Sequence, residues 1–169
     1  WLDWGGDGEC LFLLHPNGFC AGVYNPLAQQ LRSTFRVVAV DLRGHGASEL
    51  VTDEAMLGND DMAADVLALA DHLKIQNFYL LGVSLGGGVS IEIAASAQER
   101  VRELMLIEAI AMPADSFSGS PIEEENFKSR GPHPLAVGAR KRRVIWPDRQ
   151  TVIESYGSRP PLNSLTDEA

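Results

Sequence analysis

Four short apolar runs, separated by stretches of helical periodicity, constrain the fold of this 169-residue chain more than any other feature. They are CLFLL (10–14), FRVVAV (35–40), FYLLG (78–82) and LMLIE (104–108). Each is continuous rather than alternating, the pattern of strands buried on both faces. Between them, YNPLAQQLRS (24–33) reads as a short helix. NDDMAADVLALADHLK (59–74) puts Met62, Val66, Leu67, Ala70 and Leu73 on one face and begins with acidic residues, which the helix dipole favours. A third helix runs from about Leu85 to Glu99. Strands alternating with helices predict a doubly wound α/β fold with a mostly parallel sheet. Ligands of such sheets bind beyond the carboxyl ends of the strands. The segments to inspect are therefore HPNGF, DLRGHGAS, VSLGG and EAIAMP, one after each run.

From Pro113 onward the alternation stops and the sequence reads as loop, then helical pieces broken by Pro147, Gly157, Pro160 and Pro161. Two domains are expected, a core over residues 1–112 and a second segment over 113–169. Charge changes at the same place: the first part holds 6 Lys and Arg against 15 Asp and Glu, the second 8 against 8. The net charge of −9 is opposite to what a nucleic-acid binder needs to neutralise phosphates. The basic run ARKRR (139–143) accordingly reads as a solvated helix face.

Cys10 and Cys20 are too few for a disulfide framework, so reduced thiols and a cytoplasmic setting are expected. No run reaches the ~18 apolar residues of a membrane span. The chain starts at Trp1 rather than Met, which leaves room for an N-terminal signal ahead of it.

The third strand leads into FYLLGVSLGGGVSIEIAASA, residues 78–97. Gly82-Val83-Ser84-Leu85-Gly86 fits G-x-S-x-G between a strand and a helix. Glycines on both sides allow a strained turn that lifts the serine hydroxyl above the sheet, where it can act as a nucleophile. The Leu85 amide, at the helix start, then points toward a developing oxyanion. The alternative is a glycine-rich turn in which Ser84 merely caps the helix. A phosphate-binding loop would need Gly-Lys-Ser/Thr, yet Gly87 is followed by Gly88 and Val89. A dinucleotide fingerprint from Gly86 would need glycine at position 91, which is Ile91. A second oxyanion donor is expected from the loop after a neighbouring strand, and the Asn17 backbone N–H in LLHPNGF is the candidate, since Pro16 cannot donate. His15 reads as a residue that hydrogen-bonds this loop into shape, with Gly18 completing the turn. In DLRGHGAS, built on Gly44 and Gly46, Asp41 and Arg43 read as a buried polar pair bracing the loop, and His45 as a loop residue.

In this order and spacing, LLHPNGF, VVAVDLRGHGAS, GVSLGG and LMLIEAIAMP resemble the α/β-hydrolase superfamily, above all its members with a helical cap after the sixth strand. The resemblance covers about residues 3–112, with the tail similar to part of a cap. It implies that Ser84 is the nucleophile and that the Leu85 and Asn17 amides form the oxyanion hole. Pro16 stands where such proteins usually have glycine or alanine, and Val83 where histidine is common. Some members take their catalytic acid from the end of the sixth strand, the position of Glu108. The catalytic histidine of the family comes late, after the eighth strand, and none of His15, His45, His72 or His133 matches it. The chain thus reads as an incomplete piece, without the family's first strand and its C-terminal strands. Ending after the sixth strand would also leave a sheet edge open to aggregation. Serine rather than aspartate at the nucleophile argues against haloalkane dehalogenases and epoxide hydrolases. The expected activity is hydrolysis of an ester-like small molecule, with no metal, cofactor, nucleic acid or membrane involved. The rivals are a non-catalytic binding relative and an inactive truncated product.

Overall fold

The sheet is built outward from the run at Cys10–Leu14, whose five residues are all buried. The computed structural model describes residues 1–109, 137–138, 140–143, 145–160 and 162–164, in two units, Trp1–Ala111 and Met112–Ala169. The first unit contains β1 (Leu2–Gly5), β2 (Cys10–Leu14), α1 (Asn25–Leu31), β3 (Arg36–Val40), α2 (Asn59–His72), β4 (Phe78–Val83), α3 (Leu85–Ser96) and β5 (Val101–Ile107). The sheet order is β1-β3-β2-β4-β5. β2 lies parallel to β3 and β4, and β4 parallel to β5, while β1 joins β3 antiparallel.

Alternate residues of the central strands serve opposite faces. Phe12, Leu14, Val38, Val40, Phe78 and Leu80 pack with Met62, Val66 and Ala70 of α2 and Val89 and Ile93 of α3. Leu11, Leu13, Val37, Ala39 and Leu81 pack on the other face with Ala21, Tyr24 and Ala28, from the 3-10 turn before α1 and from α1 itself. Helices on both faces explain why these strands read as unbroken apolar runs. Phe12 and Phe78 meet edge to face with ring centroids 5.2 Å apart at the centre of the larger cluster. Truncating either to alanine would cost about 3–5 kcal/mol.

Local chemistry sets the helix ends. Pro26 sits in the first turn of α1, where its missing N–H is no loss. α2 opens with Asp60 and Asp61 and closes through Lys74 at φ 57°, which lets the Ile75 N–H reach back to the Ala70 carbonyl at 2.8 Å. The second unit contains α4 (Arg149–Gly157), capped by Asp148, whose carboxylate accepts from the Thr151 N–H at 2.7 Å and the Thr151 hydroxyl at 2.9 Å. Arg143 stacks over the Trp146 ring at 4.8 Å, while Lys141 and Arg142 lie exposed in a turn.

Two expectations need correction. The run at 104–108 does not make a strand buried on both faces: Leu104, Met105, Leu106 and Ile107 are 36%, 58%, 41% and 45% exposed. Among the described residues β5 is the edge strand of the sheet, with no further strand paired to it. It also starts three residues earlier, at Val101, because strand pairing with β4 carries Arg102 and Glu103 at an exposed end. The antiparallel edge strand β1 is an addition. Its four residues include Asp3 and Gly5 and gave no apolar run to read.

Candidate active site

Ser84 stands where β4 turns into α3, with φ 51° and ψ −110°. A non-glycine residue in this half of backbone space costs about 1–3 kcal/mol and persists only where its surroundings hold it there. Three hydrogen bonds do so. The Ser84 N–H donates to the Ile107 carbonyl of β5 at 3.0 Å, the Gly86 N–H to the His15 carbonyl at 3.2 Å, and the Gly88 N–H to the Ser84 carbonyl at 3.1 Å. Close approach does the rest. A side chain at position 86 would run into the Leu14 backbone, and one at 82 into the Gly86 carbonyl and the Ser90 hydroxyl. The Ser84 hydroxyl does not cap α3 and makes no hydrogen bond among the described residues. Half-buried and unengaged, it is free to meet a ligand.

The Asn17 loop lies beside this turn, because Gly86 is bonded to His15, two residues before Asn17. The loop turns tightly, with the Phe19 N–H on the Pro16 carbonyl at 3.2 Å and Gly18 at φ 81°. The Asn17 and Leu85 amide N–H groups donate no hydrogen bond among the described residues. Two unspent donors thus flank the end of β2 and the start of α3.

Fully buried His15 braces the loop. Its Nδ1–H donates to the Pro16 carbonyl at 2.9 Å, and its Nε2 accepts the Leu42 N–H at 3.0 Å. Burial pushes the imidazole below its usual range, and the nearby His45 adds to this, against the Pro16 carbonyl and Asp41, which favour the charged form. With both ring nitrogens engaged in the neutral form, His15 has no site left to take a proton from Ser84.

Asp41 and Arg43 both brace the second loop, but not as a pair. The Asp41 carboxylate accepts from the Ala21 N–H at 2.7 Å and the Ala47 N–H at 3.1 Å. Burial alone would raise its pKa, yet these amide bonds outweigh that and hold it below the usual carboxylate value. Arg43 turns the other way and clamps Asp65 of α2 with Nε and Nη2, both at 2.8 Å, with Asp61 at 3.5 Å. The physical reason is reach: a guanidinium fork is best matched by a carboxylate it can grip with two nitrogens, and α2 presents one. Asp61 and Asp65, four residues apart on the helix, are the sequence signal for this clamp. Gly44 and Gly46 shape the loop at φ 75° and 57°. His45 lies within it, its Nε2 3.0 Å from the Asn17 side-chain oxygen, a contact that spacing along the chain does not reveal.

Glu108 follows β5 directly, exposed, at φ 47°. Its neighbours on either side touch the serine turn: Ile107 through its carbonyl, and Ala109 through the space a side chain at Gly87 would fill. The Glu108 carboxylate makes no hydrogen bond or ion pair among the described residues. His72 sits on α2 with its ring edge-on to Trp1 at 5.9 Å. His133 lies outside the described residues. A cavity of about 790 Å³ opens beside β3 and α2, lined by Trp1, Leu42, Arg43, Leu50, Met56 and His72 among others. Ser84, Leu85 and Asn17 do not line it, so backbone geometry rather than volume marks the site. Cys10 and Cys20 are free thiols, and burial pushes the Cys10 thiol up to about 12.

The sequence model of the alpha/beta hydrolase fold matches residues 11–150. The chain belongs to this family. It is 41% identical over 110 residues to the dihydrolipoyllysine-residue acetyltransferase component of the acetoin cleaving system of Pseudomonas putida, covering 63% of this chain and 29% of that protein. It is 37% identical over 102 residues to the pimeloyl-(acyl-carrier protein) methyl ester esterase of Nitrosomonas europaea, covering 60% of this chain and 38% of that one. Among solved structures, a thermophilic esterase from Thermogutta terrifontis aligns at 26% identity with a TM-score of 0.64, over 90% of this chain and 57% of the esterase. The chain therefore spans about a third of the length of these two sequence relatives. Esterases recur among this hydrolase-fold chain's relatives. Among the described residues no helix is long and apolar enough to cross a membrane, and no three His, Cys, Asp or Glu side chains gather as a metal site.

Proposed function

We propose that this α/β-hydrolase chain carries the nucleophile and oxyanion hole of a serine hydrolase acting on an ester-like small molecule. The observation that carries the reading is the Ser84 backbone, held at φ 51° with its hydroxyl unengaged. The esterases among its relatives supply the reaction class. In the reaction, Ser84 Oγ attacks the acyl carbon while a base removes its proton, and the carbonyl oxygen takes up the negative charge. The Leu85 and Asn17 amides donate to that oxygen, each such donor being worth about 10²–10³ in rate. Collapse expels the alcohol, which takes the proton back from the base. Water, deprotonated by the same base, then attacks the acyl-enzyme and releases the acid and free Ser84.

The base comes from outside the described residues. His15 and His45 are engaged at both ring nitrogens, and His72 lies on α2 against Trp1. Glu108 is the proposed acid that would orient it, since its neighbours on both sides touch the serine turn. Residues 113–169 are proposed to belong to a cap, which would set the substrate.

An organophosphonate probe on the full-length protein tests this reading by intact mass. The expected result is one phosphonyl adduct on the wild type and none on Ser84→Ala. Equal labelling of both proteins would overturn the assignment. No labelling of either, together with saturable binding of small esters, would favour a binding protein instead.

A further inference from the structure

The oxyanion loop poses a physical problem. Electrostatic stabilisation works only if the donor is fixed before the charge develops, yet Asn17 is exposed in a tight turn. His15 holds the base of that turn, through bonds to Pro16 and Leu42, and leaves the tip untouched. At the tip the one side-chain bond among the described residues is between Asn17 and His45, 3.0 Å apart.

His45 is itself well fixed. Its own N–H donates to the Leu42 carbonyl at 2.9 Å, its Nδ1 lies 3.0 Å from the Arg43 carbonyl, and its ring lies 5.1 Å from that of His15. Arg43 is anchored in turn to Asp65 of α2 by two bonds of 2.8 Å. A continuous line of contacts thus runs from α2 through Arg43 and His45 to Asn17. Proton arithmetic supports the link. The Arg43 carbonyl can only accept, so Nδ1 must carry a hydrogen. In a neutral ring Nε2 then offers a lone pair, which the Asn17 amide can meet with its NH₂ group. In a charged ring Nε2–H donates to the Asn17 oxygen. An amide serves both states by turning over, so the tip stays tied whichever form His45 takes. Alanine at 17 would lose the tie altogether.

We propose that His45 is a positioning residue for the oxyanion hole: it fixes the side chain of Asn17 and thereby aims that residue's backbone N–H at the reacting carbonyl. The inference rests on the reading of Ser84 and Asn17 given above. His45 acts on the transition state and not on the ground-state ester, because the donor it aims is needed only when charge appears.

The test compares wild type, His45→Ala, His45→Gln, Asn17→Ala and the double variant in the full-length protein, with p-nitrophenyl acetate as substrate and Ser84→Ala as control. His45→Ala is expected to lower kcat by about 10- to 100-fold with KM changed by less than about twofold. Asn17→Ala should match it, and the double variant should be no worse than either. His45→Gln, which still bonds an amide, should recover most of the loss. The Asn17 backbone amide, followed by NMR, should be a single sharp signal in the wild type and broaden or split in His45→Ala, independently of turnover. Additive losses, a change confined to KM, or an unaltered Asn17 signal would overturn the role of His45. If Ser84→Ala hydrolyses the ester as fast as wild type, the reading of the site itself falls, whereas a dead Ser84→Ala beside fully active His45 variants removes only this inference.

Discussion

Around Ser84 the backbone is fixed by main-chain hydrogen bonds and by close approach, with Gly82 and Gly86 admitting neighbouring carbonyls where no side chain fits. The loop carrying Asn17 is tied instead by hydrogen bonds through His15, Asp41 and His45. The two halves should therefore fail differently. Contact is steep and indifferent to pH, so damage to the serine turn should be severe. Hydrogen bonds through the His15 imidazole and the Asp41 carboxylate are graded and respond to acid.

The largest expected effect lies on the serine side. Ser84→Ala should reduce ester turnover by about 10⁴-fold or more while leaving the fold intact, measured by steady-state kinetics beside a thermal melt. Gly86→Ala comes next. Its added methyl group meets the Leu14 backbone, and forcing it in should cost about 1–3 kcal/mol, read from urea unfolding. A neutral result would mean that the turn is not held by contact.

On the hydrogen-bonded side the effect should be milder and should follow pH. Burial holds the His15 imidazole below its ordinary value of 6.5, so the unfolded chain takes up a proton that the folded chain resists. The stability contributed by neutral His15 is complete above pH 6.5 and is lost as pH falls through the folded value. His15→Gln should cost about 1–2 kcal/mol at neutral pH, and its melting temperature should fall less steeply on the acid side than that of wild type. Parallel acid profiles would show that His15 is not the group responsible. Arg43→Lys is the smallest effect expected. It keeps the charge but loses the two-pronged grip on a partly exposed Asp65, so a thermal melt should show only a slight drop in melting temperature.

The contrast also explains what could be read from sequence. Strand-turn-helix geometry around Ser84 depends on residues adjacent in the chain, and G-x-S-x-G at the end of an apolar run records it directly. The parallel strands at 10–14, 35–40 and 78–82 were equally legible, because burial on both faces leaves unbroken apolar runs. The fourth run is legible but its exposure is not, since apolar composition does not say which strand stands at the edge among the described residues. β1 stayed hidden because four residues containing Asp3 and Gly5 carry no periodic signal. In the second loop, Asp41 and Arg43 look like partners only because they are near in sequence. The contacts that matter, Ala21 to Asp41, Arg43 to Asp65 and His45 to Asn17, cross from 20 to 28 residues. Their residue types were visible, but their pairing depends on the folded arrangement of three separate elements.

The proposed reaction turns on a covalent intermediate at Ser84. Mixing the full-length protein with an activated ester, quenching in acid within the first turnover and mapping peptides by mass spectrometry tests it directly. One acyl group is expected, on the peptide bearing Ser84 and on that residue alone. An acyl group on another side chain, or steady hydrolysis with no acylated peptide at any quench time, would contradict it.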